Sequence, residues 1–559
     1  METMIMGFIF LPMLLMQCFV AALAMSQPNL TTDQDALLQF KAYVSSDPLN
    51  IMSSNWSSSA TSICNWVGVS CGAFHSRVTA LNLPNMNLTG SLPPHLGNLS
   101  FLVSINLGGN SFNGHLPPEL GKLQRLKFMD LSFNFLNGSI PDEIWLLSKL
   151  EIFRLESNQL IGTISRNIGN LTKLRRIYIG DTKIREEIPK EIGNLHNLER
   201  LSAKNASLSG VIPPNIFNIS SLRGIYLYTN NLFGTFPIDL CYHLPNLEEL
   251  YLHENKLNGS IPSSISRCKK LQLLNLNTNR FTRYIPRSIG NLSKLVGIHL
   301  SHNDFEGEIP KEVGNLLLIT LSIGFNFLTG SIPPVIFNIS TLDYIHLAGN
   351  NLSGHLPSTI GLGLPKLTEL CLFDNKLNGI FPSSITNSSL LAFLDLSNNS
   401  FLGPFPNSLG HLTSLKWLRL GDNMFFEFST PKRSFLFSLI NCKYLTLLDV
   451  SFSSLNGILL ASIGNLSKSL QYLYASNCKI QGNIPVEIGN LSNLISLELN
   501  GNDLIRSILA TIGRLQQLQG LYFYSNRLQG TISNDLCHLQ KLDELKLDSN
   551  QLNGSMPEC

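Results

Sequence analysis

Aromatic, imidazole and guanidinium side chains recur in this sequence at intervals close to 24 residues, inside leucine-rich phrases such as RIYIG, GIYLYTN and ELYLHEN. If each phrase is a β-strand, alternate residues point to opposite faces, so these side chains lie outward while the leucines lie inward. Aromatic and arginine anchors carry much of the binding energy of protein interfaces. The pattern therefore predicts a binding groove on the outward face. Its candidate ligand contacts are Arg154, Tyr178, Arg200, Tyr226, Tyr228, Tyr251, His253, Asn275, His299 and His346.

Charges beside these positions divide the predicted groove into a basic section and an acidic one. Arg175, Arg176 and Lys204 stand in earlier repeats, and Glu249 and Glu254 stand in later ones. Such a surface suits an extended peptide held by side-chain pairs, and its histidines predict that binding depends on extracellular pH. The alternative is that exposed strand positions favour Tyr, Arg and Thr for sheet propensity and solubility alone.

Catalytic patterns are missing from the sequence. The phrase DFEG at 304–307 looks like a kinase motif, but it belongs to the repeat and has no glycine-rich loop or catalytic-loop phrase with it. No nucleophile triad, carboxylate pair or metal-ligand cluster stands out. We therefore expect no enzymatic activity, no cofactor and no metal. Because 40 basic residues nearly balance 38 acidic ones, for a net charge of +2, nucleic acid is not an expected partner.

The phrase L-x-x-L-x-L-x-x-N is the element that positions these side chains. We call its last residue the ladder position. Twenty repeats run from Met86 to Asn550, spaced by 23 to 25 residues except for one interval of 30. This period indicates a leucine-rich repeat solenoid, in which each coil buries its leucines against its neighbours. Fifteen repeats keep the asparagine, which we expect to bond backbone groups of adjacent coils.

Two departures from the repeat predict local irregularity. Glycine stands four residues after the ladder position in sixteen repeats. This indicates a backbone conformation there that other residues resist. The exceptions predict altered turns and are Glu186, Arg283, Glu427 and Arg506. The repeat between Asn423 and Ser453 has six extra residues, which we expect to bulge from the coil as a plain loop or as an added recognition surface.

The first residues and the sequons indicate secretion. An apolar stretch ending in Ala22-Leu23-Ala24 predicts a signal peptide over residues 1–24, with an uncleaved membrane anchor as the alternative. Seventeen N-x-S/T sequons fit passage through the secretory pathway. Asn205 and Asn398 stand at the edge of the predicted groove. Eight others lie twelve residues after a ladder position, away from the groove, and are the glycosylation candidates Asn98, Asn170, Asn218, Asn291, Asn338, Asn387, Asn465 and Asn490.

Residues 25–75 are expected to cap the solenoid, which occupies residues 76–559. The stretch TTDQDALLQFKAYV predicts an amphipathic helix with Thr31 and Gln34 at capping-box spacing. Cys64 and Cys71, in CNWVGVSC, predict a disulfide that closes the apolar end of the first coil.

The later cysteines are scattered through the repeats. They are expected to be free thiols, although Cys241 and Cys268 lie in successive coils and a bridge between them is the alternative. The cysteines concerned are Cys241, Cys268, Cys371, Cys442 and Cys537.

The repeat continues as L-x-G-x-I-P in phrases such as LNGSIP, and the cap reads C-x-W-x-G-V-x-C. Together they resemble the ectodomains of plant leucine-rich repeat receptor kinases, in the subfamily that includes the receptors for bacterial flagellin and elongation factor. The resemblance covers most of the chain. It implies an α/β repeat solenoid, wound as a superhelix with a concave parallel β-sheet and an N-terminal disulfide cap.

The resemblance also implies a function. Such an ectodomain binds a peptide or protein ligand, here of microbial origin and in innate immunity, on the concave face, and a leucine-rich repeat co-receptor kinase then joins. A membrane helix and a serine/threonine kinase carry the signal. Because the sequence stops at Cys559 within a repeat, we expect a truncated chain. It would be held at the plasma membrane in its full-length form, through the missing segment or an uncleaved N-terminal anchor, or secreted to the apoplast.

Two alternatives share the repeat. One is a secreted protein, either a soluble decoy or an inhibitor of microbial polygalacturonases, although such inhibitors have far fewer coils and two caps. The other is a receptor for a developmental peptide hormone, which differs only in its ligand.

Overall fold

A computed structural model describes residues 30–57, 62–426, 435–555 and 557–558. Two compact units are distinguished, unit 1 up to Phe233 and unit 2 from Gly234. The predicted signal peptide and residues 427–434 of the longest repeat, including Glu427, lie outside the described residues.

Each repeat forms one coil of a solenoid. A coil contains a short first strand, a turn at the ladder position, a second strand and, in most coils, a short 3-10 helix. Consecutive first strands pair in parallel, as Phe128–Asp130 does with Ile152–Arg154. Their central apolar side chains, such as Met129 and Phe153, are buried and pack against the same positions of the next coil. The predicted α/β repeat solenoid with a parallel sheet is therefore confirmed.

Unit 1 begins with the cap, which contains helix α1 at Leu30–Tyr43, helix α2 at Ile51–Asn55, a 3-10 helix at Ile63–Asn65 and strands at Val44–Ser46 and Val69–Cys71. Its first strands are Val78–Asn82, Ser104–Asn106, Phe128–Asp130, Ile152–Arg154, Arg176–Tyr178, Arg200–Ser202 and Gly224–Tyr226. Its second strands are Thr89–Ser91, Ser111–His115, Phe135–Ser139, Gln159–Gly162, Lys183–Ile184, Glu186–Glu187 and Leu208–Val211, and Asn231–Thr235 spans the division between the units. The 3-10 helices of its coils are Pro94–Asn98, Pro118–Lys122, Asp142–Leu146, Arg166–Asn170, Lys190–Asn194 and Pro214–Asn218.

Unit 2 repeats the same coil and contains one further helix, α3, at Phe435–Ser438. Its first strands are Glu249–Tyr251, Leu273–Asn275, Gly297–His299, Thr320–Ser322, Tyr344–His346, Glu369–Cys371, Phe393–Asp395, Trp417–Arg419, Leu447–Asp449, Tyr472–Tyr474, Ser496–Glu498, Gly520–Tyr522 and Glu544–Lys546. Its second strands are Lys256–Gly259, Arg280–Arg283, Asp304–Glu308, Phe327–Ser331, Asn351–His355, Lys376–Ile380, Ser400–Pro404, Met424–Phe426, Gly457–Ile458, Ile480–Gly482, Asp503–Arg506, Arg527–Gly530 and Gln551–Leu552. Its 3-10 helices are Ser263–Arg267, Arg287–Asn291, Lys311–Asn315, Pro334–Asn338, Ser383–Asn387, Asn407–His411, Leu439–Asn441, Ala461–Asn465, Val486–Asn490, Ala510–Arg514 and Asn534–His538.

The ladder asparagines bond the backbone of two coils, as predicted. The Nδ2 of Asn303 donates to the carbonyl of Leu276 in the preceding coil at 2.9 Å and to that of Leu300 in its own coil at 3.1 Å. Its Oδ1 accepts a hydrogen bond from the backbone N–H of Phe281 at 3.0 Å. The asparagine thus supplies partners to backbone groups that the turn would leave buried and unpaired.

The altered turns predicted at non-glycine positions are found in part: the second strand is interrupted at Glu186, where Lys183–Ile184 and Glu186–Glu187 belong to different sheets, but φ at the three described positions is not altered. Glu186, Arg283 and Arg506 have φ values of 73°, 64° and 65°, in the left-handed region that the glycine of other coils occupies, as Gly307 does at 76°. The packing of neighbouring coils therefore holds these residues in a conformation that their β-carbons disfavour.

Replacing Arg283 by glycine should raise the free energy of unfolding by about 0.5 to 1 kcal/mol, because the relief of left-handed strain exceeds the entropy that glycine adds to the unfolded chain. Urea denaturation of the purified chain measures the change. The matched control is Arg280→Gly, at an exposed position of the same strand that is not left-handed, which should lower stability. A loss of stability in Arg283→Gly would contradict the expectation.

The cap is fastened to the first coil by an ion pair that the sequence analysis did not anticipate. Asp33 of α1 is fully buried and accepts two hydrogen bonds from the Arg77 guanidinium, both at 2.8 Å. It accepts a third from the backbone N–H of Val78 at 2.9 Å. Helix α1 begins at Leu30 and already includes Thr31, so Thr31 is not its N-cap residue as predicted.

For the cysteines, the predicted disulfide is confirmed, whereas the expectation that all later cysteines are free thiols is wrong. Cys64 and Cys71 form the predicted disulfide. Cys241 and Cys268 are not free thiols, because they form a second bridge with their Cα atoms 5.3 Å apart, as buried positions of successive coils allow. Cys537 is also disulfide-bonded. Cys371 and Cys442 are free, in agreement with the expectation, and Cys478, at a ladder position, is free as well.

The long repeat is described again from residue 435, where the chain is folded against the solenoid. Helix α3 is followed by the 3-10 helix Leu439–Asn441, and Phe435 is buried with its ring 4.8 Å from that of Phe405. Residues 435–441 thus take the place of the ordinary coil, and the predicted bulge of the six extra residues stays a prediction, because residues 427–434 lie outside the described residues.

Candidate functional site

The outward side of the first strands, here called the first-strand face, carries the predicted contacts of unit 1 on neighbouring strands. Tyr178 is the strand partner of Arg154. Arg200 and Tyr226 lie on the next two first strands, and Tyr228 follows Tyr226 by two residues. The regular repeat thus brings all five side chains to one face.

The cations of this face are paired within the protein. Arg154 forms an ion pair with Glu156 at 2.5 Å, and burial, offset in part by this contact, raises the pKa of Glu156. The guanidinium of Arg200 donates to the hydroxyl of Tyr226 at 2.6 Å. Further ion pairs are Arg175–Glu199 at 2.6 Å and Lys204–Asp181 at 3.1 Å. The predicted basic section therefore has much of its charge neutralised by its own carboxylates and mainly offers rings and hydrogen-bonding groups.

The predicted contacts of unit 2 form a single row. Tyr251, Asn275 and His299 are successive strand partners, and His346 lies two strands beyond His299 in the same register. The ring of His253 lies 6.1 Å from that of Tyr251. Along this row the rings are separated by the amide of Asn275 and by the buried Ser322, which lies between His299 and His346.

Burial favours the neutral form of the histidines of this row. It lowers the pKa of His253, His299 and His346, and neighbouring imidazoles lower it further for His299 and His346. The Nε2 of His299 lies 2.9 Å from the hydroxyl of Thr320. The Nδ1 of His346 is buried and has no hydrogen-bond partner among the described residues. The row therefore presents largely uncharged rings near neutral pH.

We expect the free energy of unfolding to fall as the pH is lowered below 6.5, the ordinary histidine value. A histidine whose pKa is depressed in the folded protein binds its proton more readily in the unfolded chain, so protonation favours unfolding. His299→Gln and His346→Gln should each reduce the pH dependence of the urea midpoint between about pH 6.5 and 5. His196→Gln, at an exposed site, is the control. An unchanged slope in both buried-site variants would exclude this source of acid sensitivity.

Two rings of this face were missed by the sequence analysis. Phe325 stacks on His302 with ring centres 4.4 Å apart, and Phe373 meets His346 edge-on at 6.2 Å. Both phenylalanines follow the strand, where the backbone turns, so strand alternation does not reveal them. Gly349 makes room for the Phe325 ring, because a β-carbon there would lie 2.5 Å from it, but a glycine in the sequence does not show which ring it accommodates.

The candidate glycosylation sites share one position in the coil. All eight are exposed and are the last residue of a 3-10 helix, away from the first strands. Asn205 and Asn398 instead donate hydrogen bonds to Asp181 and Asp374 of the preceding coil, at 3.2 and 2.8 Å. Glycans at the eight positions would leave the first-strand face accessible.

Within the described ranges, His, Cys, Asp and Glu side chains form no group of three or more that could hold a metal ion. None of the helices described combines the length and apolar character needed to cross a bilayer.

Three leucine-rich repeat families match parts of the chain. The leucine rich repeat N-terminal domain matches residues 30–72, and a leucine rich repeat family matches residues 245–305. A third, single-repeat family matches residues 101–123, 125–147, 366–388, 390–412 and 469–491.

The relatives with curated names match only short segments. A probable leucine-rich repeat receptor-like serine/threonine-protein kinase of Arabidopsis thaliana is 51% identical over 74 residues, 13% of this chain and 7% of the relative. The receptor-like serine/threonine-protein kinase EFR of the same organism is 42% identical over 92 residues, 16% of this chain and 8% of the relative. The matches therefore span less than a tenth of either kinase.

A solved structure matches almost the whole chain. The Arabidopsis receptor kinase HAESA, in complex with the peptide hormone IDA and the co-receptor SERK1, is 32% identical with a TM-score of 0.82. The match covers 94% of this chain and 87% of the solved one. The similarity thus extends over nearly the full length of both chains.

Proposed function

Because the chain belongs to the family of plant leucine-rich repeat receptor ectodomains, we propose that it recognises a peptide or protein ligand outside the cell and that the ligand lies on the first-strand face. The observation that carries this proposal is the in-register row of half-buried, largely uncharged side chains from Tyr251 to His346. An extended peptide can lay successive side chains across such a row, because its spacing matches the regular distance between strands. The chain's own contribution is recognition, since its relatives of known structure are ligand-binding ectodomains.

In the proposed receptor, residues 1–24 direct secretion, residues 25–75 cap the solenoid and residues 76–559 form it. Glycans on the eight 3-10 helix sequons keep the opposite side solvated. By analogy with HAESA, which was solved with a co-receptor, a second leucine-rich repeat protein would join the liganded face. Signalling at the plasma membrane would then require a kinase, as the names of the curated relatives suggest.

The ligand could come from either of two sources, a microbe or the plant itself. A microbial peptide and a role in innate immunity are supported by the likeness to the subfamily that contains EFR. An endogenous peptide hormone is supported by the full-length likeness to HAESA with IDA bound. The same face would serve either ligand.

The test begins with twelve-residue peptides selected from a displayed library on the folded chain. The double variant Tyr251→Ala, His299→Ala, which removes two rings of this row, should bind the selected peptides at least about tenfold more weakly, as the loss of ring anchors predicts. Isothermal titration calorimetry measures the affinities and circular dichroism checks folding. The control is Tyr444→Ala, an exposed tyrosine outside the first strands. Failure to select any peptide, or equal affinity for the double variant, would refute the proposal.

A further inference from the structure

Five rings of unit 2 form a connected group on the first-strand face, here called the ring cluster. The ring of Phe325 lies 4.4 Å from His302, 5.8 Å from His346 and 5.8 Å from Phe373. Tyr344 stacks on His346 with ring centres 6.1 Å apart and planes within 5° of parallel. The cluster thus joins side chains from four successive coils into one aromatic surface.

Two glycines leave room for the rings of His346 and Phe325, which therefore lie directly against the backbone of a neighbouring coil. A β-carbon at Gly324 would lie 2.5 Å from Nδ1 of His346, and one at Gly349 would lie 2.5 Å from Cδ1 of Phe325. Gly349 also has a left-handed φ of 62°, which a larger residue would resist. The rings are therefore held in place before any ligand arrives, which lowers the entropy cost of binding.

Carboxylates without a basic partner border the cluster. Glu369 is the strand partner of Tyr344, and it accepts a hydrogen bond from the Cys371 thiol at 3.4 Å. Asp343, adjacent to Tyr344 in the chain, accepts a hydrogen bond from the Thr368 hydroxyl at 2.5 Å. Neither carboxylate forms an ion pair with any described residue. Burial, and after it the charge of Glu369, raise the pKa of Tyr344 to about 12.

Three rings elsewhere on the first-strand face are covered by cations of the protein itself. The pairs, with the distance from the cation to the ring centre, are Arg154 and Tyr178 at 5.2 Å, Arg200 and Tyr226 at 5.9 Å, and Lys546 and Tyr522 at 5.4 Å. Within the described chain, no lysine or arginine is placed in this way over a ring of the cluster. The cluster therefore has the rings and the carboxylates of these sites but lacks the cation.

We propose that the ring cluster, together with Glu369 and Asp343, is the subsite that receives a basic side chain, arginine or lysine, of the peptide ligand. A guanidinium or ammonium group placed over the rings gains cation–π attraction and charge-assisted hydrogen bonds to the carboxylates. The acidic border matches the charge of this occupant and repels an acidic one. This inference rests on the proposed function, because it assigns one side chain of the ligand to one place on the same face.

The experiment uses the twelve-residue peptides selected on the wild-type chain. Each arginine is replaced by citrulline and each lysine by acetyl-lysine, so that charge is removed while length is kept. At one basic position, neutralisation should weaken binding to the wild type by about tenfold or more. In Glu369→Gln and in Phe325→Ala, the charged and neutral peptides should bind within about twofold of each other, because the subsite no longer distinguishes them.

The matched control is Phe133→Ala. Phe133 precedes its ladder asparagine as Phe325 does, and the two have nearly the same left-handed backbone, with φ values of 54° and 52°. Because Phe133 is outside the ring cluster, its variant should keep the full tenfold preference. If peptides bind but none carries a charge-sensitive basic residue, or the sensitivity survives in Glu369→Gln, the subsite is refuted while the proposed function stands. If no peptide can be selected, both are refuted.

Discussion

The Asp33→Asn substitution is expected to lower the free energy of unfolding of the N-terminal cap by about 3 to 5 kcal/mol, as is usual when one partner of a buried ion pair is removed. The side chain of Asp33 is completely buried, and that of Arg77 is 5% exposed. The substitution removes the negative charge but leaves the guanidinium in place, away from water. It also puts an amide nitrogen where oxygen accepts hydrogen bonds from Arg77 and from the backbone of Val78.

Tryptophan fluorescence during urea denaturation reports this loss, because Trp56 and Trp66 are buried in the cap with their rings stacked 5.2 Å apart. The control is Glu151→Gln, which breaks the exposed pair with Lys127 and should cost less than about 1 kcal/mol. Replacing both Asp33 and Arg77 with apolar residues should recover part of the loss, since no charge then stays buried. A cost for Asp33→Asn no greater than that for Glu151→Gln would show that water reaches the guanidinium.

The architecture was predictable because it follows from short-range periodicity. Leucines at alternate positions define the first strands, and the asparagine after them defines the turn. Both recur often enough that single exceptions do not obscure the pattern. The register of the first-strand face then follows directly, because each coil repeats the last at nearly constant length. This is why Tyr251, Asn275 and His299 were correctly aligned from the sequence.

Contacts that depend on side-chain direction or on long sequence separation were not predictable in the same way. Asp33 and Arg77 are 44 residues apart and belong to no repeated phrase. The ion pairs that neutralise the cations of unit 1 depend on which rotamer each side chain adopts. Phe325 and Phe373 lie in the turn that follows the strand, yet their rings lie on the first-strand face. Periodicity locates a position in the coil, whereas charge pairing and ring stacking depend on what stands in the next coil.

The Asn303→Ala substitution is expected to lower the free energy of unfolding by about 2 to 3 kcal/mol, mainly because one buried backbone N–H loses its hydrogen-bond acceptor. The carbonyls of Leu276 and Leu300 keep second partners, because Asn279 donates to the first and Asn326 to the second, both at 3.1 Å. The backbone N–H of Phe281 loses the Oδ1 that accepts it at 3.0 Å. A buried donor without a partner costs more than the bond itself contributes, and the cavity left by the amide adds to the loss. Urea denaturation followed by circular dichroism measures the change, and Asn315→Ala, at an exposed site, should shift stability by less than about 0.5 kcal/mol.

Ala206 shows that alanine at a ladder position is tolerated when the preceding coil compensates. There the hydroxyl of Thr182 donates to the carbonyl of Ile179 at 2.9 Å and lies 3.5 Å from the backbone N–H of Ile184. An asparagine in place of Ala206 would serve those same two groups, by the geometry of the other coils. Thr182→Val keeps the shape of the side chain but removes this compensation, so it should cost about 1 to 3 kcal/mol although it deletes no ladder asparagine. If Thr182→Val is neutral while Asn303→Ala is costly, the asparagine stabilises the solenoid by filling space between coils, and the hydrogen-bond explanation is wrong.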